Sequence, residues 1–128
     1  MLDLIEYNAL RFHLSVQLDR VDGHGRIKIS GWICCRAEIF KLNVRLNAAE
    51  FQAPVGYPRP DVYKAINPDR RYPFMNSYFS GVDSEFRTDN AGLVEGLKCM
   101  ASMVDKKGTL FAEIPFEFDA EGKANLYS

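Results

Sequence analysis

An arginine and an aspartate flank a proline at Arg59-Pro60-Asp61, and that spacing can serve two ends. Proline fixes its own backbone and biases the preceding residue toward an extended form, so the two charges are held as a stiff pair. In one use, Arg59 donates to a sugar hydroxyl, or to a carboxylate or phosphate of a ligand. In the other, Arg59 ties a long loop to a sheet through backbone carbonyls while Asp61 caps a short helix. The anchoring use weighs more, because a long connection needs fixed points to stay ordered. Around the pair stand Tyr57, Tyr63, Tyr72 and Phe74, with Arg70 and Arg71. Tyrosine joins an apolar ring to a hydroxyl, which suits a glycan and a protein partner alike. The same side chains would also serve as a lid over one open end of a fold. Tyr57, Arg59, Asp61, Tyr63 and Tyr72 form the candidate ligand-binding set.

Catalytic chemistry finds less support. His24 lies between Gly23 and Gly25, in a predicted turn that would hold a general base poorly. Asp83 and Glu85 share a strand face at spacing two and could pair as carboxylates, but simple alternation on an exposed face accounts for them. No phosphate-cradling glycine loop, nucleophile elbow or metal-ligand spacing is present. Cys34, Cys35 and Cys99 make an odd set, which argues for reduced thiols in a cytoplasmic setting. Neighbouring cysteines on a strand point to opposite faces, and His13 and His24 do not complete a zinc spacing. Each cysteine reads as a small buried hydrophobe. The single tryptophan, Trp32, could stack on a sugar ring if exposed, but its apolar neighbours favour the core, with Gly31 leaving room for a ring from a neighbouring strand. No enzymatic activity, metal or cofactor is expected.

These residues need elements to place them. Phe12, Leu14, Val16 and Leu18 alternate with polar residues, a period of two that predicts a half-buried strand. Asp22-Gly23-His24-Gly25 supplies a turn, and Arg26 to Cys34 gives a second strand antiparallel to the first. A third strand follows over Phe40–Leu46, with a short return at Glu50–Ala53. Five of the six prolines then fall between Pro54 and Pro73. Within that stretch Pro60–Ile66 predicts a short helix, with proline at its first position, Asp61 in its first turn and Asn67-Pro68 ending it. Strand character returns over Ser77–Phe86 and over Leu93–Val104, where Leu97, Cys99, Ala101 and Met103 share a face. Asp105-Lys106-Lys107-Gly108 is a hairpin turn, and Thr109–Phe118 closes the sheet with Pro115 marking an edge or bulge. About seven strands with one short helix in a long loop predict an all-β, immunoglobulin-like antiparallel sandwich. The chain's 128 residues suit a single domain, with its core over 12–118 and with residues 1–10 and 119–128 as ends prone to fray.

Composition narrows the partners. Sixteen basic and 17 acidic residues leave a formal net charge of −1, so nucleic acid and anionic membranes have no electrostatic footprint to bind. The pairs Arg70-Arg71 and Lys106-Lys107 read as solvated turn residues. No apolar run reaches membrane-spanning length, and the acidic N-terminus does not resemble a secretory signal.

The order Gly31-Trp32, Arg59-Pro60-Asp61-Val62, Ser80-Gly81-Val82 and Gly96-Leu97-Lys98 resembles a β-sandwich accessory domain found beside bacterial glycosyltransferases and sugar-related methyltransferases. In that family a Gly-Trp strand is followed by an Arg-x-Asp-Val segment, a Ser-Gly-Phe-like strand opening and a Gly-x-His-like strand. Two positions depart from the pattern. Val82 replaces an aromatic, with Tyr78 and Phe79 near enough in sequence to fill that volume, and Lys98 replaces a histidine. The resemblance implies a non-catalytic role in glycan or polysaccharide assembly, with a glycan or a glycosyltransferase or methyltransferase as partner. A protein–protein or purely structural module is the alternative.

Overall fold

The computed structural model describes residues 11–21, 24–34, 39–46, 49–66, 78–88 and 99–127. They form an all-β sandwich of two four-stranded antiparallel sheets, with one short helix. In chain order the elements are β1 (Arg11–Val21), β2 (His24–Cys34), β3 (Ile39–Leu46), β4 (Ala49–Pro54), α1 (Pro60–Ile66), β5 (Gly81–Thr88), β6 (Cys99–Asp105), β7 (Leu110–Phe116) and β8 (Lys123–Tyr127). One sheet has the order β5-β2-β1-β8 and the other β4-β3-β6-β7. The first, second and fifth strands thus share a sheet opposite the third, sixth and seventh, which is the immunoglobulin-like arrangement, with β8 added outside β1.

Alternation builds the core. In the β1–β2 ladder Leu14 faces Gly31, Val16 faces Ile29 and Leu18 faces Ile27; the leucines, valine and isoleucines are buried. Leu42, Val44 and Leu46 answer from β3, Ala101 and Met103 from β6, and Ala112 from β7. Truncating any of the large ones to alanine removes transfer energy and leaves a void, at a cost of about 2–5 kcal/mol. Pro115 lies on β7, an edge strand, where its missing N–H breaks no interior ladder.

Four local expectations change. His24 and Gly25 belong to β2, with His24 opposite Val21, so the strand starts inside the predicted turn. Tyr78 and Phe79 form a turn ahead of β5, and both rings are exposed, at 41% and 58%. They leave the interior to Val82, which is itself in the core. The polar tail becomes a strand: β8 pairs with β1 from Gln17↔Lys123 to His13↔Tyr127 and buries Ala124 and Leu126. An eighth strand therefore joins the expected seven.

Trp32 is the fourth change. Counting by two from Ile27 and Ile29 puts Gly31 in the inner row and Trp32 on the outer face with Lys28 and Ser30. Trp32 is half-buried there, in a small cluster with buried Cys34 and Val62 of α1. It plugs no core. Gly31 has φ +132°, and a Cβ on it would collide with the backbone carbonyl oxygen of His13. Glycine is needed at this point for close backbone approach and a conformation L-residues rarely adopt, not to admit a ring. The expectations for Cys35, Arg70, Arg71, Tyr72, Phe74, the Leu93–Lys98 part of the sixth strand and residues 1–10 lie outside the described residues.

Candidate functional site

The proline-rich connection leaves β4 in one sheet and folds onto the outer face of the other. Its crossing point is Gly81, the first residue of β5. Gly56 and Tyr57 donate their N–H groups to the Gly81 carbonyl at 3.0 and 3.1 Å, and Gly81 donates back to the Tyr57 carbonyl at 2.9 Å. A Cβ at Gly81 would lie 2.8 Å from both Tyr57 Cβ and the Tyr57 carbonyl oxygen, and 3.0 Å from Arg59 Cγ. The absent side chain is what lets the connection pass so close.

Arg59 then fixes the chain in place. Its N–H donates to the Tyr78 carbonyl at 2.6 Å, and its carbonyl accepts from Tyr63 N–H at 3.1 Å, which opens the helix. Arg59 Nε and Nη2 donate to the two carboxylate oxygens of Asp61 at 3.0 and 2.9 Å, a planar two-point pairing that lysine could not copy. Nη1 reaches β2 and donates to the Gly31 carbonyl at 3.3 Å. The hydrogen bonds from Arg59 hold the Asp61 carboxyl down at about 2, against some burial and with help from the Val62 N–H. In return Asp61 pushes the Arg59 guanidinium above its ordinary value, with burial opposing. Behind this clasp Val62 packs on Cys34 and Trp32. Of the five guanidinium N–H groups, three are thereby engaged, and the other two find no partner among the described residues.

On the near side of Arg59 lies an open groove of about 340 Å³. Lys28, Ser30 and Gly31 of β2 and Val82 and Asp83 of β5 make its floor, with Tyr57 and Arg59 as one wall. Register accounts for the floor: Ser30 faces Asp83 and Lys28 faces Glu85 across the β2–β5 ladder, and paired residues share a face. Tyr57 is 51% exposed, so its ring is open to a ligand. On the far side of Arg59, Tyr63 meets Tyr78 edge-on at 6.1 Å and Tyr78 meets Phe79 at 4.8 Å.

The structure therefore brings Tyr57 and Arg59 into one groove and sets Asp61 behind Arg59 as its partner. Tyr63 stands with the aromatic ladder beyond, and Tyr72 lies outside the described residues. Sequence reasoning missed Lys28 and Ser30, and weighed Asp83 only as half of a carboxylate pair with Glu85. Glu85 instead accepts from Arg26 Nε at 3.0 Å. The outward parity of Lys28 and Ser30 was readable; the loop folding back over them was not. His24 is half-buried at the start of β2, away from the groove-lining set.

Other chemistry is quiet. Burial, and then the Glu117 carboxylate, pushes the Cys99 thiol up to about 11, so little nucleophilic thiolate exists near neutrality. Among the described residues no cluster of three His, Cys, Asp or Glu side chains could hold a metal ion, and no helix is long and apolar enough to cross a membrane. Comparisons with family models, with curated proteins and with solved structures find no match to this chain.

Proposed function

We propose that this domain is a non-catalytic accessory unit of bacterial glycan or polysaccharide assembly, working in the cytoplasm and binding carbohydrate in the Tyr57 groove. The observation that carries this reading is the groove's make-up. A half-exposed tyrosine ring stands over a floor of ammonium, hydroxyl and carboxylate groups, which is what a sugar asks for: an apolar wall for its C–H face and mixed donors and acceptors for its hydroxyls. The sequence resemblance points the same way. Calorimetric titration with bacterial polysaccharide fragments tests it. At least one fragment should bind, and Tyr57→Ala should weaken it by roughly tenfold, ~1.4 kcal/mol, with the thermal midpoint unchanged. Silence across the panel would remove the glycan reading.

A second reading has its own support. Tyr78 and Phe79 present two exposed rings side by side, and exposed aromatics are the usual anchors of protein interfaces. Here the domain docks a glycosyltransferase or methyltransferase and carries no sugar itself. Co-purification with such an enzyme, lost in Phe79→Ala but kept in Tyr57→Ala, would favour it.

A further inference from the structure

The Tyr57 groove is one end of a longer feature that the strand registers lay out across the outer face of the β5-β2-β1-β8 sheet. Tyr57 bridges Gly81, Gly81 faces Trp32, Trp32 faces His13, and His13 faces Tyr127. Residues paired across a ladder share a face, so these side chains form one row at right angles to the strands, with a ring at every position but Gly81. Four strand spacings carry the row roughly 19 Å from Tyr57 to Tyr127. Trp32 is half-buried against Val62 of α1, but the far end is open. His13 is exposed, and Tyr127, its ring centre 6.0 Å from that of His13, is 70% exposed.

Two residues along each strand runs a second row, Asp83, Ser30, Ser15 and Asn125, and beyond it a third, Glu85, Lys28, Gln17 and Lys123. The middle row has short polar side chains and the rows beside it have long ones, which makes it the floor of a shallow trough. Asp83 and Ser30 also floor the Tyr57 groove, so trough and groove are continuous. Hydroxyl, carboxylate and amide groups beside a line of rings repeat the contacts of the groove for each successive sugar of a chain. We propose that the site takes an extended glycan chain lying across the strands, with His13 and Tyr127 as a second contact point at the end away from Tyr57. This rests on the glycan reading above and adds to it the form of the ligand and the residues that hold its far end. A chain long enough to reach both ends gains the second contact without a second association, and so binds more tightly than a short one.

The test is a length series. Fragments of the bacterial polysaccharides, sized from disaccharide to hexasaccharide, are titrated into wild type, Tyr127→Ala and Ser15→Trp, the last of which fills the floor midway. The expected result is that a hexasaccharide binds at least tenfold more tightly than its disaccharide. Either variant should remove most of that gain and leave the disaccharide affinity unchanged, whereas Tyr57→Ala weakens both lengths. Tyr127 and Ser15 lie on the outer face, away from the core cluster, and an unchanged melting temperature checks that each variant folds. An affinity that is flat with length, or a gain that survives either folded variant, overturns the trough while the glycan reading stands. If no fragment of any length binds, both fall together.

Discussion

Asp61 shows how much one side chain can be set by one neighbour. Its carboxyl is mostly exposed, yet it sits near 2 because Arg59 offers it two directed N–H bonds. A depressed folded pKa stabilises above the unfolded value of 3.8 and is lost as pH falls through about 2. The clasp is therefore intact at neutral pH and fails only in strong acid. Following the Asp61 carboxyl carbon by NMR should give a midpoint near 2, and Arg59→Gln should return it toward 3.8. A midpoint already ordinary in wild type would mean that the two side chains do not hold each other in solution. Because Arg59 also grips Gly31, its loss should loosen the groove wall, whereas Asp61→Asn leaves that third bond in place.

At the level of elements, α1 is seven residues long, too short to persist in water by itself. Two ties hold it: the Arg59 clasp at its start and Val62 beneath it, packed on Cys34 and Trp32. Val62→Ala should cost about 2 kcal/mol. As Trp32 is the only tryptophan, its emission should shift to the red as the helix lifts. An unmoved spectrum would argue that the helix is held by something other than this cluster. The helix itself was legible, since Pro60 and Asn67-Pro68 bracket it in the sequence, as were the alternating strands β1 to β3. The inner row through Ile27, Ile29 and Ile33 carries no sign that Trp32, one residue out of phase, will still be covered. That cover comes from a segment 30 residues later, Trp32 to Val62, and periodicity reports only local order. Tyr78 and Phe79 misled for the opposite reason, because ring-rich sequence suits strands and these two stand in a turn. β8 was hidden by weak contrast. Its buried positions are Ala124 and Leu126, and alanine barely registers as apolar against Lys123, Asn125 and Tyr127.

For the whole molecule, β8 decides whether β1 is an interior strand or an edge. With β8 in place, β1 is bonded on both sides over His13–Gln17, and Leu18 N–H donates to the Gly122 carbonyl at 2.8 Å. Gly122 has φ +78°, which turns the chain into the strand at a point where a larger residue would press on the Leu18 carbonyl. On the same side, the space between β7 and β8 is an open cleft of about 340 Å³ with a mixed lining, in which Phe12, Ile114, Phe116 and Leu126 stand beside Glu117 and Asn125 among others. Removing residues 119–128 would take away the side chains of Ala124 and Leu126 and bare this cleft. It would also turn β1, with four buried apolar residues over Phe12–Leu18, into an open edge of the kind that pairs with other chains. Losing Leu126 alone is worth about 2–5 kcal/mol, and a domain of this size has only about 5–15 kcal/mol in total. The shortened chain should therefore melt roughly 10–20 °C lower and elute as higher-order species, with light scattering rising at micromolar concentration. Leu126→Asp, which keeps the length and breaks the packing, should reproduce the loss of stability. A shortened chain that elutes as the intact chain does, with its melting temperature unchanged, would show that the sandwich closes without its eighth strand.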